Sequence, residues 1–331
     1  MTMRLLVLIF AALFALPAAA ADRVEVPITQ HVLRDGTPRY TIPIQIGDQT
    51  LEAMLDSGSV GIRVMPGALR PDNFAPGRER VSYGYTSGVE LSGSVGQAKV
   101  AIGGLATPGP IGVQVVETVG CSRERPNCPA SRVAAKDYGI GGNGIAGAGF
   151  KAIVGVAMGE TEAPNPLTRI GERRWIIVLP WPGEREPGKL ILNPSDAELQ
   201  GFVRFPNDPV FKDGRGGWHD AIPGCLELGK GKPVCGPLLL DSGATAIQVS
   251  PGRGVRIDHP GPGAAARLLI GDPQRPALRL NFRTGQEPSG RLIIEDPGGQ
   301  PRTRISAGAL PYYSVAAFYD ARAHVVGIRP R

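Results

Sequence analysis

Apolar residues in this chain fall in short runs or alternate with polar ones, and almost nowhere recur at the three-to-four spacing of an amphipathic helix. That pattern predicts strands at residues 24–27, 39–46 and 49–55. A hairpin follows at 81–91, its Gly-rich tip carrying Tyr83, Gly84 and Tyr85, then a further strand and turn at 93–104. A loop rich in Gly, Ala and charge occupies 121–149, and strands resume at 150–156, 175–179 and 189–192. The clearest helical candidate is short, residues 195–200 after Pro194. Beyond it, 222–229 parallels 42–47 in outline, and the chain closes with apolar runs at 312–319 and 325–328. The 46 Gly and 32 Pro that punctuate these runs complete an all-β expectation.

One stretch occurs twice. Leu55-Asp56-Ser57-Gly58-Ser59-Val60-Gly61-Ile62-Arg63-Val64 returns, without a gap, as Leu240-Asp241-Ser242-Gly243-Ala244-Thr245-Ala246-Ile247-Gln248-Val249. In each copy a strand-like apolar run stops in Asp-Ser-Gly, the composition of a tight turn. A single copy reads as a surface turn. Two copies, each behind a buried-type strand and each followed by Ile-x-Val, place two carboxylates where they can leave strand ends and enter a cleft.

Composition changes this picture at the amino terminus. Arg4, the apolar run 5–16 and the small residues 17–21 have the layout of a cleavable secretory signal, expected to span 1–21. The apolar run falls short of the roughly 18 residues a membrane span needs, so no stable membrane anchor is expected. The net charge of +6 is scattered among Gly and Pro, a solvated surface and no nucleic-acid footprint. In an exported chain the four cysteines favour two local disulfides, Cys121 with Cys128 and Cys225 with Cys235. A zinc site is the competing reading, weakened because there is no Cys-x-x-Cys and the four histidines lie far from the cysteines. No metal and no cofactor are implied.

Taken together, these residues resemble the pepsin-like aspartic proteases, bilobal β proteins in which each lobe contributes one Asp-Thr/Ser-Gly turn. Tyr83-Gly84-Tyr85-Thr86-Ser87-Gly88 is similar to the family's Tyr-Gly-Thr-Gly flap. Phe150-Lys151-Ala152-Ile153-Val154-Gly155 is similar to its Phe-Asp-Gly-Ile-Leu-Gly strand, and 188–192 to its Gly-Glu-Leu strand. Residues 319–330 run without a gap against its carboxyl-terminal segment, and the 185 positions between Asp56 and Asp241 are close to the family's separation. The resemblance implies a bilobal pepsin-like fold with two pseudo-twofold-related lobes, one spanning 22–196 and the other 197–331, and a cleft between them.

It also implies aspartic endopeptidase chemistry, with Asp56 and Asp241 catalytic. Ser57, Gly58, Ser59, Ser242, Gly243 and Thr245 would support them, and Tyr83, Gly84 and Tyr85 would form a flap over an extended polypeptide substrate. Two carboxylates brought within a few ångströms share a proton and titrate as a pair. The aspartic proteases are themselves the standing example of that effect, so it comes with the resemblance. Some positions depart from the family. Arg63 stands where many members have a Trp that bonds the flap Tyr, Ala244 lacks the usual hydroxyl, Lys151 replaces an Asp, and the flap is longer, which leaves Tyr83 against Tyr85 open.

Three further expectations follow. The chain is a monomer, because both copies lie in one polypeptide. It is periplasmic or secreted. Only about 34 residues precede Asp56 in the mature chain, too few for the family's usual inhibitory propeptide, so activity without zymogen processing is expected. The alternative from a different class is a catalytically degenerate pepsin-like protein that keeps the cleft to bind a peptide, a glycan or a protein partner.

Overall fold

A computed structural model describes residues 22–207, 216–229, 231–296 and 300–331; the signal segment expected at 1–21 lies outside the described residues. The first half runs β1 (Val24–Val32), β2 (Pro38–Ile46), β3 (Gln49–Asp56), β4 (Val60–Val64), β5 (Arg80–Gly84) and β6 (Val89–Ala98). Short strands β7 (Val100–Ile102) and β8 (Leu105–Ala106) precede the long β9 (Ile111–Cys121), followed by β10 (Ala152–Val156), β11 (Arg174–Val178) and β12 (Gly188–Leu192). The second half holds β13 (Val203–Pro206), β14 (Ile222–Leu228), β15 (Val234–Leu239), β16 (Ala246–Ser250), β17 (Ala265–Gly271) and β18 (Pro276–Arg283). It ends with β19 (Arg291–Ile294), β20 (Arg304–Ser306), β21 (Val315–Asp320) and β22 (Val325–Pro330). The described residues contain short 3-10 turns and no α-helix.

These strands form two sheets that repeat one topology. In the larger, the order β2-β3-β10-β4-β9 sets β10 parallel to β3 and antiparallel to β4. In the smaller, β14-β15-β20-β16-β19 sets β20 parallel to β15 and antiparallel to β16. Each Asp-Ser-Gly therefore sits at the end of a strand whose neighbour arrives from far along the chain and threads between the strands on either side of the turn. This is the all-β, bilobal pepsin-like architecture.

Burial explains why these segments are strands. On β2, Ile42, Ile44 and Ile46 are buried while Pro43 and Gln45 face outward, the period-two alternation of a half-covered strand. β10 is buried throughout and reads as a continuous apolar run. Each fully buried aliphatic contributes about 1.5–3 kcal/mol, and the core around Leu55, Ile62 and Val154 lies directly beneath the first turn. An antiparallel set, β13-β22-β21-β11-β12-β1, draws strands from both ends of the chain into one floor. There Trp175 stacks on Tyr319 with centroids 5.5 Å apart. Both expected disulfides are present, Cys121–Cys128 and Cys225–Cys235.

The helix expected at 195–200 is corrected to a single turn. Ser195 and Glu198 do cap each other, Ser195 N donating to Glu198 Oε2 at 2.9 Å and Glu198 N to Ser195 Oγ at 3.4 Å, as at a helix start. Gly201, with φ of 77°, then takes the left-handed region and turns the chain toward β13 before a second turn can form.

Candidate active site

The two turns meet at the bottom of a cleft of about 1490 Å³. They are joined by a reciprocal set of buried hydrogen bonds. Ser57 N donates to Ser242 Oγ (3.0 Å) and Ser242 N to Ser57 Oγ (2.9 Å). Each hydroxyl then donates across the seam, Ser57 Oγ to Leu240 O (2.9 Å) and Ser242 Oγ to Leu55 O (3.0 Å). Ser57 Oγ, having spent its proton on Leu240, accepts from Tyr312 Oη at 2.7 Å, and Tyr312 is bonded in turn to Tyr319 at 2.6 Å.

This clamp sets each carboxyl against the glycine of the opposite turn, so that the two face each other across the seam. Glycine is required at both turns because each turn backs onto the opposite carboxyl. A Cβ at Gly58 would lie 2.5 Å from Asp241 Oδ1, and one at Gly243 would lie 2.5 Å from Asp56 Oδ1. Asp56 accepts from Gly58 N (2.8 Å) and Ser59 Oγ (2.6 Å). Asp241 accepts from Gly243 N (3.1 Å), Ala244 N (3.0 Å) and, on its other oxygen, Ser306 Oγ (3.2 Å). Burial first, and the charge of Asp56 second, push the Asp241 carboxyl well above the carboxylate range. The arrangement can therefore hold one proton between two carboxyls in a cleft open to a ligand.

Above the pair, β5 and β6 form the hairpin expected as a flap, with the four-residue turn 85–88 closed by Gly88 N to Tyr85 O at 2.8 Å. Arg63 is 1% exposed and lies beneath it. Its guanidinium carbon sits 3.3 Å from the centroid of the Tyr83 ring, and it donates to Val60 O (2.8 Å) and Gly61 O (3.3 Å). Tyr83 Oη accepts from Val60 N at 3.4 Å. The two tyrosines left open by the sequence take different places: Tyr83 stacks on Arg63, and Tyr85 packs edge-on against Tyr83. Arg63 forms no ion pair with either carboxyl. Lys151 donates to Tyr138 O at 3.2 Å, away from the pair.

Most of the residues named from sequence line this one cleft, Gly84 included, and Ser57 and Ser242 lie just beneath it. Thr245 lines it too but reaches neither carboxyl; the hydroxyl missing at Ala244 is supplied by Ser306 on β20. Ser306, Tyr312 and Arg39 were not singled out from sequence. For Ser306 a signal existed, because Ile305-Ser306-Ala307-Gly308 stands to the second turn as Ala152-Ile153-Val154-Gly155 stands to the first.

No protein-family model matches the chain, and no curated protein matches it in sequence. Among solved structures the fold is that of the pepsin-like class. One match is the aspartic proteinase from Irpex lacteus, at a TM-score of 0.58 and 13% identity, over 93% of this chain and 97% of that one. At that identity the likeness is one of fold, and function has to be argued from the site.

Proposed function

We propose that this chain is an aspartic endopeptidase with Asp56 and Asp241 as its proton-sharing pair. The observation that carries the reading is the reciprocal Ser57–Ser242 clamp, which sets two carboxyls from separate lobes face to face in an open cleft. A water held between them gives a proton to the ionised partner as its oxygen attacks the scissile carbonyl carbon, and the protonated partner donates to the carbonyl oxygen. The tetrahedral diol then collapses with proton transfer to the amide nitrogen, breaking the C–N bond. The substrate is an extended polypeptide lying between the cleft floor and the Tyr83–Tyr85 hairpin, its backbone hydrogen bonds giving affinity and side-chain pockets specificity.

A monomer suffices, since one chain supplies both carboxyls. Two disulfides suit a chain exported to a periplasm or secreted, with residues 1–21 as its signal. Among the described residues no helix is long and apolar enough to cross a membrane.

The test is hydrolysis of a mixed peptide library by the chain from Asp22, across acidic to neutral pH. Asp56→Asn and Asp241→Asn should each abolish cleavage while unfolding at the parent's temperature or above. Full activity in either variant rejects the assignment. A parent that retains peptide but never cleaves it would identify a cleft-binding protein instead.

A further inference from the structure

The Gly-rich loop 121–149 ends in a cradle around a buried cation. Arg39, on β2, is 6% exposed. Its Nε donates to Gly141 O (2.7 Å), its Nη2 to Asn143 Oδ1 (2.7 Å) and its Nη1 to Gly243 O (2.8 Å). Gly141 takes φ of 73°, and a side chain there would run into Met54 and Arg39 itself, so the loop's glycines let its carbonyls close on the guanidinium. All three acceptors are neutral oxygens. Burying a charge this way is costly unless other charges answer it. Those that do are Asp35, Asp241 and Asp56, in that order. Asp35 is itself tied to the cradle, accepting from Asn143 Nδ2 at 2.8 Å.

The third acceptor is the carbonyl of the second Asp-Ser-Gly turn, so one side chain of the first lobe holds both the loop and the opposite half of the pair. We propose that Arg39 is a positioning residue for the carboxyl pair: its bond to Gly243 O pins the second turn to the first lobe, and its buried charge favours the singly ionised pair over the fully protonated one. The proposal rests on reading Asp56 and Asp241 as a proton-sharing pair.

The other titratable groups facing the pair are Tyr83 and Tyr85 from the flap and Tyr312 from beneath, phenols that burial keeps neutral. Arg63 lies on the flap side under Tyr83, and Asp220 lies beyond Tyr312. Tyr138 faces Arg39 from the loop. None of these both carries a charge and bonds the backbone of an Asp-Ser-Gly glycine, as Arg39 does.

The test is a titration of the Asp carboxyl carbons by NMR on the protein alone, beside the pH profile of peptide hydrolysis. Arg39→Gln should raise the pH at which the pair first ionises by roughly a few tenths of a unit, less than for a carboxylate losing a cation in direct contact, because Arg39 meets the turn through Gly243 O. The acid limb of kcat/KM should move with it. Arg39→Lys keeps the charge but not the fork, so its titration should stay with the parent's while kcat falls about tenfold with KM within about twofold. Should Arg39→Gln not fold, Arg39→Met, which refills the apolar stem, carries the titration, and Arg39→Lys alone still decides the pinning. A titration in Arg39→Gln that superimposes on the parent's, or an unchanged kcat in Arg39→Lys, overturns the proposal. A parent that shows a coupled titration but never cleaves peptides overturns the peptidase reading and leaves this one standing.

Discussion

The two Asp-Ser-Gly turns share a backbone and differ in where the outer oxygen of the carboxyl finds its hydroxyl. Asp56 takes it from Ser59, one residue beyond its own turn, at 2.6 Å. Asp241 has Ala244 there and takes it from Ser306, on the strand threaded beside the turn, at 3.2 Å. A second backbone donor, Ala244 N, accompanies the longer bond. The inner machinery, by contrast, is matched to a tenth of an ångström, 3.0 and 2.9 Å one way and 2.9 and 3.0 Å the other. Aligning the carboxyls demands identical parts on both sides. Satisfying their outer oxygens demands only a donor, and the source can move.

The clamp is where that comparison breaks hardest. Ser57→Ala and Ser242→Ala each leave a buried N–H and a buried C=O without their partner. At about 1–3 kcal/mol for each unsatisfied group, either variant should lose roughly 3 kcal/mol in denaturant unfolding. The halves are not equal, because Ser57 also anchors the Tyr312–Tyr319 pair. Ser57→Ala should therefore be the less stable of the two, and the reverse order would show that the tyrosine chain contributes nothing.

This division also marks what the sequence made legible. The clamp was readable because its parts lie inside one contiguous repeat, as do Gly58 and Gly243. Strand positions followed from alternation at β2 and continuous apolarity at β10, whereas the order of strands in the sheets did not. Ser306 carried only the indirect signal of 305–308 matching 152–155, since its role depends on a strand 65 positions from Asp241 arriving in register. Arg39 was hidden for the same reason, its acceptors lying 102, 104 and 204 positions away. The different places of Tyr83 and Tyr85 could be told apart only once Arg63 was seen beneath Tyr83, because an Arg–Tyr stack leaves no motif. The missing helix at 195–200 failed on a local detail: a sound cap followed after one turn by a left-handed glycine.

A second contrast separates two buried carboxyls with raised pKa. Asp241 is answered by three donors and faces the cleft, whereas Asp220, 2% exposed, accepts from Met158 N, at 2.9 and 3.1 Å. Burial pushes Asp220 from its ordinary value of 3.8 up to about 8. Between those values the folded chain holds a proton that the unfolded chain has released, so stability is fully present below about pH 4 and declines as pH rises toward 8. Asp220→Asn, unable to ionise, should flatten that decline by about 1–3 kcal/mol between pH 5 and 8 in urea unfolding. Asp241 acts with the same sign, so a residual slope should remain. An Asn variant that falls with pH as steeply as the parent would place the titration elsewhere.

The smallest effect tests the opening contrast directly. Ser59→Ala removes a short hydroxyl bond to a carboxyl and should lower kcat about tenfold, the worth of one charge-assisted bond. Ser306→Ala removes a longer one whose carboxyl keeps two backbone donors, and should lower kcat only about threefold. If the hydroxyl matters by presence and not by origin, Ala244→Ser should restore the Ser306→Ala variant while adding little to the parent, a non-additivity visible in a double-mutant cycle. Additive effects would mean that Ser306 acts through β20 packing. The second turn would then tolerate Ala244 because its two backbone donors already suffice, and the asymmetry between the lobes would lie in the backbone and not in the moved hydroxyl.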